Sequence, residues 1–109
     1  MSTINSKILA EGKVPTALSV IYTAPVLTKA YVKYFSIFNT GGLTEDVYVY
    51  VTKNGSTSRL TGHVLLLPLE FALVVDKDET INLDAGDSIS ASTTNLNACD
   101  YVITGGEEV

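Results

Sequence analysis

Few side chains in this 109-residue sequence could carry out covalent chemistry, and their spacing assembles no familiar machinery. His63 is the one histidine. A Ser-His-Asp arrangement needs a histidine held between two partners, and no Gly-x-Ser-x-Gly elbow precedes a helix here. Cys99, the one cysteine, lies in an apolar stretch beside Asp100, whereas a reactive thiol wants an electropositive, partly open setting. It reads as a small buried hydrophobe. One cysteine and one histidine cannot build a structural zinc site. Asp76, Asp78, Glu79, Asp84 and Asp87 bring together the hard oxygens that calcium prefers. An EF-hand loop starting at Asp76 would need Gly where Ile81 stands and Glu where Asp87 stands, so that pattern fails. Solvated acidic turns are the expectation, with a calcium site between loops as the alternative. Thr40-Gly41-Gly42-Leu43 lacks both the spacing and the lysine of a phosphate loop. Catalytic, cofactor and metal residues are therefore expected to be none, and an enzyme is not expected.

What remains is binding chemistry. Tyr31, Tyr34, Tyr48 and Tyr50 fall in two neighbouring predicted strands, and outward aromatic residues on a sheet anchor protein interfaces or stack on sugars. They are the candidate protein-interface residues. The absence of tryptophan weakens the sugar reading. Ordinary cross-strand packing is the structural alternative.

These residues need strands to hold them. No stretch keeps apolar residues at helical spacing, whereas alternation recurs throughout. Strands are expected over 7–11, 16–23, 30–39 and 47–52, then from Ser58 with two strands meeting near Pro68, then over 80–84, 87–93 and 98–104. Within 30–39, Val32, Tyr34 and Phe38 should face one way and Tyr31, Phe35 and Ile37 the other. Both faces being apolar marks a central strand or one whose outer face meets a partner. Val47, Val49 and Val51 should face inward and put Tyr48 and Tyr50 outside. Asn54-Gly55 is a hairpin turn before it is a glycosylation triplet with Ser56. Residues 80–93 read as a compact hairpin-like unit turning at Ala85-Gly86. Eight to nine short strands with turn signals about every 8–12 residues predict an all-β fold, an antiparallel β-sandwich of jelly-roll-like or Ig-like order. Without repeat or linker, residues 1–109 form one domain, with 1–6 and 105–109 as loose tails.

Composition agrees. Charged residues are only 17% of the chain, and β-branched and aromatic residues abound. The net charge of −5, with Arg59 the lone arginine, argues against nucleic acid as a partner. Residues 1–69 carry six basic and three acidic side chains, and 70–109 one basic and nine acidic. The single cysteine precludes an internal disulfide and suits a reducing cytoplasm, and Met1–Lys7 lacks the build of a signal peptide. The longest apolar run, 64–75, is too short to span a bilayer, so no membrane association is expected.

The order of segments adds a resemblance. Ile8-Leu9-Ala10-Glu11-Gly12, Ile21-Tyr22-Thr23-Ala24-Pro25 and Ala30-Tyr31-Val32-Lys33 lead to Phe38-Asn39-Thr40-Gly41. Leu83-Asp84-Ala85-Gly86-Asp87-Ser88-Ile89 and Asp100-Tyr101-Val102-Ile103-Thr104-Gly105 follow. Together they resemble the small β-sandwich structural proteins of tailed bacteriophages, with 64–75 more apolar than that pattern. The resemblance implies a virion protein assembled in the host cytoplasm, most simply a capsid decoration (cement) protein. The two apolar faces of 30–39, with Tyr48 and Tyr50 beside them, lead to the expectation of a homo-oligomer, such as a trimer, bound to the major capsid protein or another virion protein. A tail or neck accessory, or a carbohydrate- or receptor-binding module, is the alternative. The resemblance carries no catalytic residues and no cofactor.

Overall fold

Alternating valines, tyrosines and threonines bounded by Gly, Pro and Asn produce strands throughout. The structure, a computed structural model, describes residues 7–53, 58–75 and 81–108. The strands are β1 (Lys7–Lys13), β2 (Ser19–Thr23), β3 (Lys29–Asn39), β4 (Glu45–Thr52), β5 (Ser58–Leu66), β6 (Phe71–Val75), β7 (Ile81–Leu83), β8 (Ser88–Ser92) and β9 (Cys99–Glu108). Asn54-Gly55, Asp76–Glu79 and residues 1–6 lie outside the described residues.

Two antiparallel sheets result. The first runs β1-β9-β3-β6, with β7 also on β3; the second runs β2-β8-β4-β5. Because β6 and β7 pair successive parts of β3, they act as one interrupted strand. The pairs β1·β9, β2·β8, β3·β6 and β4·β5 are then nested one inside another, as in a long hairpin rolled up on itself. That nesting is the jelly-roll arrangement. An immunoglobulin order would keep the first two strands in one sheet, whereas here they lie in different sheets. Residues 80–93 are accordingly no hairpin. Ala85-Gly86 turns as expected, with Gly86 at φ 90° and Asp87 N–H donating to the Asp84 carbonyl at 2.9 Å. That turn carries the chain from β7 in one sheet to β8 in the other. The passage near Pro68 also crosses between sheets. Its turn puts Leu69 at φ 64° and closes with Glu70 N–H on the Leu67 carbonyl at 3.1 Å.

One core lies between the sheets. Val47, Val49 and Val51 face it as the alternation requires, together with Ile89, Tyr101 and Ile103. In β3 the register against β9 slips between Val32 and Tyr34. This bulge changes the inward phase partway along the strand. Ala30 and Val32 point inward, then Phe35, Ile37 and Asn39, while Tyr31, Tyr34 and Phe38 point outward. The expected division of 30–39 into two constant faces is thereby corrected. Strict alternation cannot anticipate an inserted residue.

The C-terminal tail is not loose up to Glu108. β9 continues through Gly105 and Gly106 against β3. At Gly105 any Cβ would stand 1.8 Å from the Tyr31 carbonyl oxygen, so glycine permits the two backbones to meet beside the bulge. Glu107 accepts a hydrogen bond from the Tyr22 hydroxyl of the opposite sheet at 2.7 Å and pairs with Lys7 at 2.5 Å. These contacts hold its carboxyl below the usual range, while burial and the bond to Glu107 push the Tyr22 hydroxyl up.

Candidate functional site

The four tyrosines do not share a surface. Tyr31 and Tyr34 stand on β3 in the first sheet, and Tyr48 and Tyr50 on β4 in the second. β3 and β4 are consecutive but joined across the sandwich, which the alternation of each strand does not reveal. Tyr31 is half-buried, its hydroxyl 3.4 Å from Glu108 Oε1. Tyr34 is exposed. Tyr48 and Tyr50 do point outward, half-covered. Tyr48 stacks on His63 with ring centroids 4.2 Å apart, and His63 Nε2 lies 2.5 Å from Asp46 Oδ1. Asp46 also draws the Tyr48 hydroxyl and raises its pKa. Its aromatic cover and the carboxylate make His63 part of a surface cluster rather than a base aimed at a nucleophile.

The outer face of the first sheet exposes aromatic and aliphatic side chains. The register sets Phe38 opposite Phe71, and Ser36 opposite Leu73 and Val102. Phe71 is 65%, Leu73 50%, Tyr34 45% and Phe38 39% exposed. Aromatic residues are enriched in the cores of protein interfaces. Phe38 and Leu73 sat in runs apolar on both faces, and only the sheet order tells which face is outside.

The second surface is one end of the sandwich. Four loops meet there: 14–18, 40–44, 67–70 and 93–98, each joining strands whose ends the register brings together. They carry the exposed Leu18, Leu43, Leu67, Leu69 and Leu96. Their one ionisable side chain is Glu70, whose carboxylate accepts the Leu67 N–H at 2.8 Å. Two fully buried polar side chains fasten this end. Asn39 Nδ2 donates to the carbonyls of Leu43, Leu66 and Leu67 at 2.8, 3.1 and 3.2 Å, and its Oδ1 accepts the Gly41 N–H at 2.9 Å. Glu45 Oε1 accepts from the Thr93 hydroxyl and the Asn95 N–H at 2.8 Å each, and Oε2 from Asn95 Nδ2 at 2.5 Å. Burial alone would raise the Glu45 carboxyl, but bonds from Asn95, Thr93 and Thr94 outweigh it and hold it below the usual range. Loop backbones pegged from inside keep the leucines outside and in place.

Cys99 and Asp87 are both enclosed by the fold. Cys99 is fully buried, 3.7 Å from the Thr93 hydroxyl, and burial pushes its thiol up. Asp87 is nearly fully buried rather than solvated. It accepts from Asp84 N–H at 2.9 Å and pairs with Lys53 at 3.0 Å. Among the described residues, no group of three His, Cys, Asp or Glu could hold a metal. No helix among them is long and apolar enough to cross a membrane.

No protein-family model and no curated protein sequence matches the chain. Solved structures do. A protein of Bacillus endospore appendages, described as disulfide-linked pili, superposes with a TM-score of 0.55 at 12% identity, covering 100% of this chain and 90% of that one. A protein of the T13 IBDV viral particle superposes with a TM-score of 0.51 at 10% identity, covering 99% of this chain. The chain spans about a third of that viral protein, 31% of its length. At these identities the likeness is one of fold. Both neighbours come from polymeric assemblies, a pilus and a viral particle.

Proposed function

We propose that this protein is a non-enzymatic structural subunit of a bacteriophage particle, a decoration protein that binds the head lattice and stabilises it. It folds as one unit around the shared core and associates both with itself and with a virion protein such as the major capsid protein. It joins the particle in the host cytoplasm. The observation that carries the reading is the exposed aromatic face of the first sheet, centred on the Phe38–Phe71 pair and Tyr34. A face that binds intact lattice but not separated subunits stabilises the lattice by mass action. The resemblance in segment order and the viral-particle fold neighbour support the same reading.

The test is co-sedimentation of the purified protein with capsids, with copy number per particle measured by mass spectrometry. Wild type should saturate at hundreds of copies. Phe38→Asp/Phe71→Asp should stay folded and remain in the supernatant, whereas Tyr48→Ala/Tyr50→Ala on the opposite sheet should bind in full. A handful of copies would move the protein to the neck or tail. Full occupancy by the Phe variant would remove the face from the interface.

A second reading, a subunit of a surface filament, is favoured by the near-complete two-way coverage of the spore-appendage protein. Disulfide linkage would not carry over through Cys99, which is fully buried. Recovery of the chain in sheared surface filaments and not in virions would favour it.

A further inference from the structure

We infer that the outer face of the second sheet is a binding trough for a neutral glycan, floored by the serines of β8 and walled on one side by Tyr48 and Tyr50. The inference goes beyond the particle reading and does not rest on it, because it uses the face opposite the Phe38–Phe71 pair.

Ile89 and Ala91 are fully buried, so alternation along β8 turns Ser88, Ser90 and Ser92 outward. The register sets Ser90 between Val20 of β2 and Tyr50 of β4, and Ser92 beside Tyr48. Val20 is exposed and the two tyrosines are half-covered. β2 and β4 stand two strand spacings apart, so the trough between Val20 and Tyr50 is about 10 Å wide, with the serines about 7 Å apart along its floor. Tyr48 has one ring face against His63 of β5, which leaves its other face on the side of β8. Ser90 is the residue that points to a ligand. It is only 8% exposed, yet its hydroxyl has no hydrogen-bond partner among the described residues. Every fully buried side-chain nitrogen and oxygen described does have one, so the part of Ser90 that stays accessible includes its Oγ, aimed into the trough.

The surroundings of Ser90 decide the class of occupant. Whatever covers this hydroxyl must supply it with a hydrogen-bond partner or leave it stranded. β8 and β4 are paired on both sides, so their backbone groups are engaged in ladders and an extended peptide cannot add here as a strand. The ionisable groups beside Tyr48, Asp46 and His63, bond each other and do not stand as a lone cation for an anionic ligand. A protein partner wants an apolar interface core. The first sheet presents Phe38, Phe71 and Leu73 for that purpose, whereas the centre of this face is hydroxyl. A sugar meets both of its features: hydroxyls that donate and accept lie over the serines, and ring C–H faces lie on tyrosine. A subunit docked through the first sheet carries this trough on its far side, open to such a ligand.

Saturation-transfer difference NMR on the purified chain tests this. The probes are maltotetraose, cellotetraose, mannotetraose and chitotetraose at millimolar concentration, with sialyllactose as the acidic control. With the tyrosine ring protons irradiated, at least one neutral tetrasaccharide should receive saturation and sialyllactose should not. For that sugar, Tyr50→Ala should abolish the transfer, and Tyr50→Phe, which keeps the ring, should retain it. Ser90→Ala should weaken binding roughly two- to tenfold in a titration, the effect of one hydrogen bond between uncharged groups. Phe38→Asp/Phe71→Asp should bind the sugar like wild type. Three results would overturn the inference: no neutral tetrasaccharide saturated by wild type, Ser90→Ala and Tyr50→Ala both folded by circular dichroism and binding in full, or binding lost in the Phe variant. Loss of capsid binding by Tyr48→Ala/Tyr50→Ala, with no sugar bound by wild type, would make the face a protein interface instead. Capsid co-sedimentation through the first sheet is a separate measurement, so a failure of either reading shows by itself.

Discussion

Replacing Glu45 with Gln should loosen the leucine-bearing end and leave the sheets intact. In the native protein its carboxylate accepts three bonds, from Thr93 Oγ1, Asn95 N and Asn95 Nδ2. Bonds to a charged group contribute about 1.5–3 kcal/mol and neutral ones about 0.5–1.5. The two bonds at Oε1 each lose about 1 kcal/mol of that advantage. The third survives only if the Asn95 amide turns over to present its oxygen. The net loss should be about 2–3 kcal/mol at neutral pH. With a urea m-value of about 1–3 kcal/mol/M, the unfolding midpoint should fall by roughly 1–2 M without a change in slope. The acid side gives an independent reading. Because the folded carboxyl titrates below its unfolded value, its contribution is complete above the unfolded pKa and is lost as pH falls through the folded one. Wild-type stability should therefore decline below about pH 4.5, and Glu45→Gln should decline less over that window. Equal midpoints at neutral pH together with equal acid slopes would refute the assignment of Glu45 as the fastener of these loops.

Gly105→Ala should be among the most damaging single changes, above about 4 kcal/mol, because the added carbon meets backbone at 1.8 Å; a thermal melt that matches wild type would contradict the β3–β9 register. Cys99→Ser should cost about 1–2 kcal/mol in urea unfolding if the hydroxyl gains no better partner than Thr93. With its thiol buried and its pKa raised, native Cys99 should also resist a thiol-specific reagent until the protein unfolds. Asn39→Ala leaves the carbonyls of Leu43, Leu66 and Leu67 without their side-chain donor and should lower the melting midpoint by several degrees, with the exchange of loop amides rising at 40–44 and 67–70.

Strand existence was legible from the residues because alternation is local. Val47-Tyr48-Val49-Tyr50-Val51 can bury only one set of side chains, and the valines are the set that packs. The turns at Pro68 and Ala85-Gly86 were legible for the same reason: ring closure and left-handed backbone are properties of one or two residues. Cys99 could be read as buried because nothing around it supports a thiolate. The outer face of the first sheet, by contrast, was decided by tertiary structure. Whether Phe38 faces core or solvent depends on a bulge at residues 32–34 that exists only because β9 pairs there. Whether Tyr34 and Tyr48 share a surface depends on β3 and β4 lying in different sheets. The leucine end is the clearest case. Five leucines from four loops, far apart in the chain, meet because the nested pairs bring strand ends together, and Asn39 and Glu45 acquire their fastening role only in that company. Local pattern specifies which residues can pair. The sheet order, set by burial of the whole core, specifies what is left outside.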